Sequence, residues 1–161
     1  MSTGLSKSIF CALVGLAFPV PVWAQTIVTV KVTVVEPASC VINDNKTIEV
    51  DFGTVVGASV DGVKYKKAIN YTLECKSQTT NAMKMAVTGN PASFDDTVLM
   101  TNITDFGIAL RANGERLPVN GWFNFTYPDK PLLEAIPVKK AGSNPTGGDF
   151  RAGATLIIIY Q

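Results

Sequence analysis

Gly147-Gly148-Asp149-Phe150-Arg151-Ala152-Gly153-Ala154-Thr155-Leu156-Ile157-Ile158-Ile159-Tyr160-Gln161 is the stretch that decides the fold. Its even positions, Phe150, Ala152, Ala154, Leu156, Ile158 and Tyr160, are apolar throughout. The odd positions, Asp149, Arg151, Gly153 and Thr155, are polar or small before Ile157 and Ile159. A period of two places alternate side chains on opposite faces of an extended chain, so one face meets a core. The pattern predicts a long strand that begins just after Gly148 and runs to the C-terminus.

Upstream, the same signal repeats in short runs separated by turns. Val28, Val30, Val32 and Val34 alternate with Thr29, Lys31 and Thr33, and the break Glu36-Pro37-Ala38-Ser39 follows. Cys40–Ile42, Thr47–Val55 with an interruption near Gly53, and Lys64–Lys76 with Ala68, Tyr71, Leu73 and Cys75 are predicted strands, as are Met83–Val87 and Phe106–Leu110. Aromatic Phe123, Phe125 and Tyr127 alternate with Asn124 and Thr126 after Trp122, and Leu132–Val138 follows. Asn43-Asp44-Asn45, Gly89-Asn90-Pro91, Asn113-Gly114 and Asn144–Gly148 are turn or loop signals, Asn113-Gly114 being a hairpin signal. Many short strands with little helix predict an all-β chain, an antiparallel sandwich.

The N-terminus has another character. Lys7 precedes an apolar run, Ile9–Val22, and Val22-Trp23-Ala24 ends it with small residues at the outer positions. This is the pattern of an export signal cleaved after Ala24. Residues 1–24 are therefore expected to be a signal peptide, leaving a single domain of about 137 residues. Without Lys7 the acidic and basic residues are equal in number, so electrostatics gives no case for nucleic acid or an anionic membrane surface. Cys11 leaves with the signal, and two cysteines in an exported chain, Cys40 and Cys75, are expected to form one disulfide. With no histidine and no Cys-x-x-Cys pair, neither a zinc site nor a redox pair is expected, and no cofactor is. Nor is there a histidine base or a Gly-x-Ser-x-Gly elbow for an enzyme, so no small-molecule substrate is expected.

Other features have ordinary readings. Asp95-Asp96 and Asp51 are expected to be solvated carboxylates, and Lys64, Lys66 and Lys67 a solvated edge. The aromatics from Trp122 to Tyr127 are expected to serve packing before sugar binding.

These residues resemble the pilins of the chaperone–usher pathway, most closely their minor, adaptor-type tip-fibre subunits. The likeness rests on the alternating extension ahead of Cys40, the Cys40/Cys75 spacing, and Val50-Asp51-Phe52-Gly53 after the first cysteine. It rests further on Thr101-Asn102-Ile103-Thr104-Asp105-Phe106-Gly107-Ile108-Ala109-Leu110, and on Gly148 fourteenth from the end with Tyr160 penultimate. One departure is the lack of a glycine between Gln25 and Pro37, where family extensions carry one.

The resemblance implies an incomplete immunoglobulin-like β-sandwich that lacks its seventh strand and is completed by a strand from another chain. Residues 25–36 would then be a donor extension with Val28, Val30, Val32 and Val34 on its working face, and residues 37–161 the pilin domain. Gly148, Phe150, Ala152, Ala154, Leu156, Ile158, Tyr160 and Gln161 would form the acceptor groove and the chaperone-binding edge. The implied partners are a periplasmic pilus chaperone, an outer-membrane usher and neighbouring pilin subunits. The implied location is the periplasm and then a cell-surface fimbrium. A small fimbrial adhesin that binds a host glycan or receptor is the alternative.

Overall fold

The computed structural model describes residues 39–161; the signal and the Val28–Val34 alternation lie outside the described residues. Eleven strands follow one another among those residues: β1 Ser39–Ile42, β2 Lys67–Ile69, β3 Leu73–Lys76, β4 Ala82–Gly89, β5 Pro91–Ala92, β6 Asp95–Met100, β7 Phe106–Ala112, β8 Glu115–Leu117, β9 Trp122–Thr126, β10 Leu133–Lys139 and β11 Ala154–Tyr160. Helix among them is limited to two short 3-10 turns, Asn43–Asn45 and Gly57–Ser59. Every ladder is antiparallel.

The strands form three sheets: β2-β10-β7-β6-β5 with β8 also on β7, then β11-β4-β9, and the pair β1-β3. Turn chemistry sets the register of the β7–β8 hairpin. Asn113 and Gly114 both take positive φ, 50° and 83°, as a two-residue hairpin turn of the twist-matched kind requires. The polar turn at Asn43-Asp44-Asn45 likewise has all three residues at positive φ, a region Asn and Asp tolerate better than most. Pro137 lies inside β10 without harm. It is beyond the last β2 pair, Ala135↔Lys67, so β10 is an edge strand at that point.

Two inner faces make the core. From the β4 sheet come Met85 and Val87, and from the larger sheet Leu99, Ile108, Leu110, Ala112, Leu117, Leu133 and Ala135. Met83, Met85 and Ile136 are among the largest side chains fully buried. Tyr71 brings its ring into this core, where its hydroxyl donates to the Pro131 carbonyl at 2.7 Å. Burial raises the Tyr71 pKa, so the phenol stays neutral and remains a donor. Cys40 stands opposite Cys75 in the β1–β3 ladder and the two form a disulfide.

Four sequence expectations need correction. Thr47–Val55 is not a strand, although Ile48, Val50 and Phe52 still pack towards the core. The alternation is present but no neighbouring strand offers it a ladder. Lys64–Lys76 is broken into β2 and β3 at Asn70–Thr72. The terminal strand starts at Ala154 instead of Asp149, because β4, its partner, ends at Gly89. Asp95-Asp96 opens strand β6, and Asp95 is an ion-pair partner rather than a free loop carboxylate.

Candidate functional site

β11 is where the sandwich is unfinished. One edge pairs with β4 from Ala154↔Gly89 to Tyr160↔Met83. No described strand pairs with its other edge. The inward side chains of β11 show the consequence: Leu156, Ile158 and Tyr160 are only half-buried, whereas their β4 neighbours Met83 and Met85 are wholly enclosed. An edge strand with bare N–H and C=O groups beside partly wetted core residues is a template for another strand.

Across from β11 runs the unpaired segment 46–55. Between them lies a cleft of about 1240 Å³, walled by Ile48, Val50 and Phe52 on one side and by Phe150, Ala152, Ala154 and Leu156 on the other. Its floor is the core itself, with Val87, Leu99, Ile108, Leu110, Leu133 and Ala135. Engineered core cavities of about 150 Å³ remain packing defects. A cleft several times larger, open along one edge and floored by aliphatic side chains, has the dimensions of a missing element.

The two walls meet at both ends. At one end the Phe52 and Phe150 rings lie 5.7 Å apart, and Phe150 is also edge-on to Phe106 at 5.0 Å. At the other end Tyr160 reaches Cys40, Oη to Sγ 3.1 Å. A disulfide sulfur has no proton to give, so the phenol donates. The chain direction from Cys40 to Phe52 is thus opposite to that from Phe150 to Tyr160.

The structure brings most of the expected groove residues together and separates some. Gly148, Phe150, Ala152, Ala154 and Leu156 line the cleft. Ile158 packs against the core beyond it, and Tyr160 caps the disulfide. Gln161 extends the β11–β4 pairing, its backbone N–H donating to Ala82 O at 3.0 Å, while its side-chain amide reaches the other sheet edge and donates to Asn124 Oδ1 at 2.5 Å. Gly148 sits at φ 142°, a backbone region that side chains rarely adopt, with nothing near a would-be Cβ. Its requirement for glycine is conformational, not steric. The second wall, Ile48, Val50 and Phe52, was not assigned to the site from sequence. Its alternation was the available signal, but its placement opposite β11 depends on long-range topology.

Phe123, Phe125 and Tyr127 are half-buried, the first two against the core. Trp122 alone of the four faces out, with the Lys84 ammonium 5.0 Å from its ring centre. Among the described residues no cluster of His, Cys, Asp and Glu is arranged to hold a metal.

A sandwich whose last strand presents an unpaired edge over an open cleft matches a known class. The chain belongs to the fimbrial protein family, whose model matches residues 28–161. It is a fimbrial subunit of the surface fimbrium, with the immunoglobulin-like fold of chaperone–usher pilins, and it interacts with other pilin subunits. It is 32% identical to the fimbrial-like protein YfcR of Escherichia coli K12, over all of this chain and 94% of that protein. It is 30% identical to the minor fimbrial protein PrsF of Escherichia coli, over 76% of this chain and 80% of that one. A solved structure of PapF, the P pilus adaptor subunit, also of Escherichia coli, is 30% identical, with a TM-score of 0.56 over 76% of this chain and 95% of its own.

Proposed function

We propose that this chain is a structural minor subunit of adaptor type, which joins its neighbours in a chaperone–usher fimbria by exchanging strands. The carrying observation is the open cleft between segment 46–55 and β11, floored by the core. Filling it buries apolar surface and pairs the bare β11 edge in one step, the physics of β-augmentation.

Residues 25–36 are the strand this subunit gives away. Burying four valine side chains is worth roughly 6 to 8 kcal/mol. Each ladder hydrogen bond adds about 0.5 to 1.5 kcal/mol net, and ordering the extension costs about 1 to 2 kcal/mol per residue. These terms nearly cancel for the donor, so the stability gained comes largely from the acceptor, whose core is wetted until filled. In the periplasm a chaperone fills the groove with its own strand and holds the Gln161 carboxylate with basic side chains. At the usher the extension of the next subunit replaces it. The role is architectural, with no catalytic step. A sugar-binding reading has less support, because Phe123, Phe125 and Tyr127 are turned at least partly inward.

Deleting residues 25–35 separates giving a strand from taking one. The truncated protein is expected to co-purify with its chaperone and to accept a neighbour's extension, yet not to enter a neighbour's groove in an in-vitro exchange assay. Entry of the truncated protein through that end would remove the donor assignment.

A further inference from the structure

We infer that Asn102 is a positioning residue for strand acceptance: it holds the Asp149–Arg151 wall away from the empty groove so that an incoming strand finds it open. The inference rests on the strand-exchange reading above.

The ladder between β11 and β4 ends at Ala154↔Gly89, so residues 149–153 have no strand to hold them. Gly147 and Gly148 precede this stretch and Gly153 ends it, and each widens the backbone's choices. It carries Phe150 beside an apolar floor. Its ring already packs on Phe52 and Phe106 at one end of the cleft; a loosely held wall carries that ring and its backbone further over the floor, in competition with any donor.

Asn102 prevents this with three hydrogen bonds on either side of Phe150. Its Nδ2 donates to Asp149 O at 3.0 Å, its Oδ1 accepts from Arg151 N–H at 2.6 Å, and its backbone N–H donates to Arg151 O at 3.2 Å. The side-chain amide thus takes the place of a strand neighbour. Asn102 is itself fixed to the larger sheet. Buried Thr101 donates through its hydroxyl to Phe106 O at 2.7 Å and accepts from Ile103 N–H at 3.1 Å. Lys140 N–H donates to Asp105 O at 2.9 Å, which ties the same turn to the end of β10. The wall is therefore hung from the opposite sheet, not from its own.

The test uses the whole chain and a fluorescently labelled synthetic peptide of residues 25–36, with uptake followed by anisotropy. Two side-chain hydrogen bonds set the open wall against the collapsed one by about tenfold. N102A is expected to slow uptake by about that factor, with a much smaller change in the melting temperature of the filled protein. N102D keeps the acceptor for Arg151 N–H and loses the donor to Asp149 O, so an intermediate rate is expected. Amide exchange at Arg151 in the unfilled wild type, expected to be protected, gives a second readout if N102A folds poorly. Equal uptake rates for wild type, N102A and N102D would overturn the role of Asn102 alone. Failure of the wild type to take up the peptide at all would overturn the strand-exchange reading, and this inference with it.

Discussion

Gly107 shows how little room the core leaves away from the groove. A Cβ there would stand 2.5 Å from Val98 Cγ1 and 2.9 Å from the Leu99 carbonyl oxygen. The oxygen belongs to the paired backbone of β6, so relief requires moving a strand. Overpacking of this kind costs about 1 to 3 kcal/mol. G107A is expected at the upper end of that range in denaturant unfolding of the strand-filled protein, and an unchanged midpoint would show that β6 yields easily. The sequence marks this position only as part of the predicted strand Phe106–Leu110 and of the Thr101–Leu110 resemblance; the close approach of Val98 depends on the β6–β7 pairing, which no local pattern reveals. Gly148 differs: its demand is in its own φ, and its place before the terminal alternation made it legible.

At the scale of elements, β6 and β8 lie end to end along one edge of β7, the first opposite Gly107 and Ile108, the second opposite Leu110–Ala112. The joint is closed by Arg116, whose Nη2 lies 2.7 Å from Asp95 Oδ2 and also meets Thr97 Oγ1. The hydroxyl and backbone N–H of Thr97, with Arg116 adding to them, hold the Asp95 carboxyl below its ordinary range. A depressed folded pKa contributes stability above the unfolded value, near pH 4, and that contribution fades as pH falls through the folded pKa. Half-exposed ions limit the effect to less than about 1 kcal/mol. D95N is expected to lose this increment at pH 7 and to match wild type near pH 2 in urea midpoints; a constant gap at both pH values would count against it. Asp95-Asp96 disguised β6 because acidic residues are poor strand formers. The 47–55 alternation had the reverse fate, a strand pattern without a ladder. Both errors arise where partner choice overrides local preference. The strands with strong alternation or hairpin signals, β7, β9, β10 and most of β11, were readable because burial on one face repeats every second residue.

For the whole molecule, the deficit is one strand wide. The Tyr160 contact with the Cys40–Cys75 disulfide joins the two walls beyond one end of the cleft, the Phe52–Phe150 contact joins them towards the other, and the cleft opens over core aliphatics. On the proposed strand exchange, such a protein gains stability from its neighbour, which makes assembly and folding a single process. The terminal alternation made one wall of the groove legible; the opposite wall, the bridged ends and the Asn102 hanger required the tertiary structure. Heat unfolding of the protein from residue 37 onward, with and without residues 25–36 fused through a short flexible linker after Gln161, tests this most directly. Several kcal/mol of added burial in a domain of this size is expected to raise the midpoint by at least about 10 °C, and to turn an aggregating protein into a soluble monomer. An unfused protein that is already monomeric, with the same midpoint as the fusion, would mean that no strand is missing.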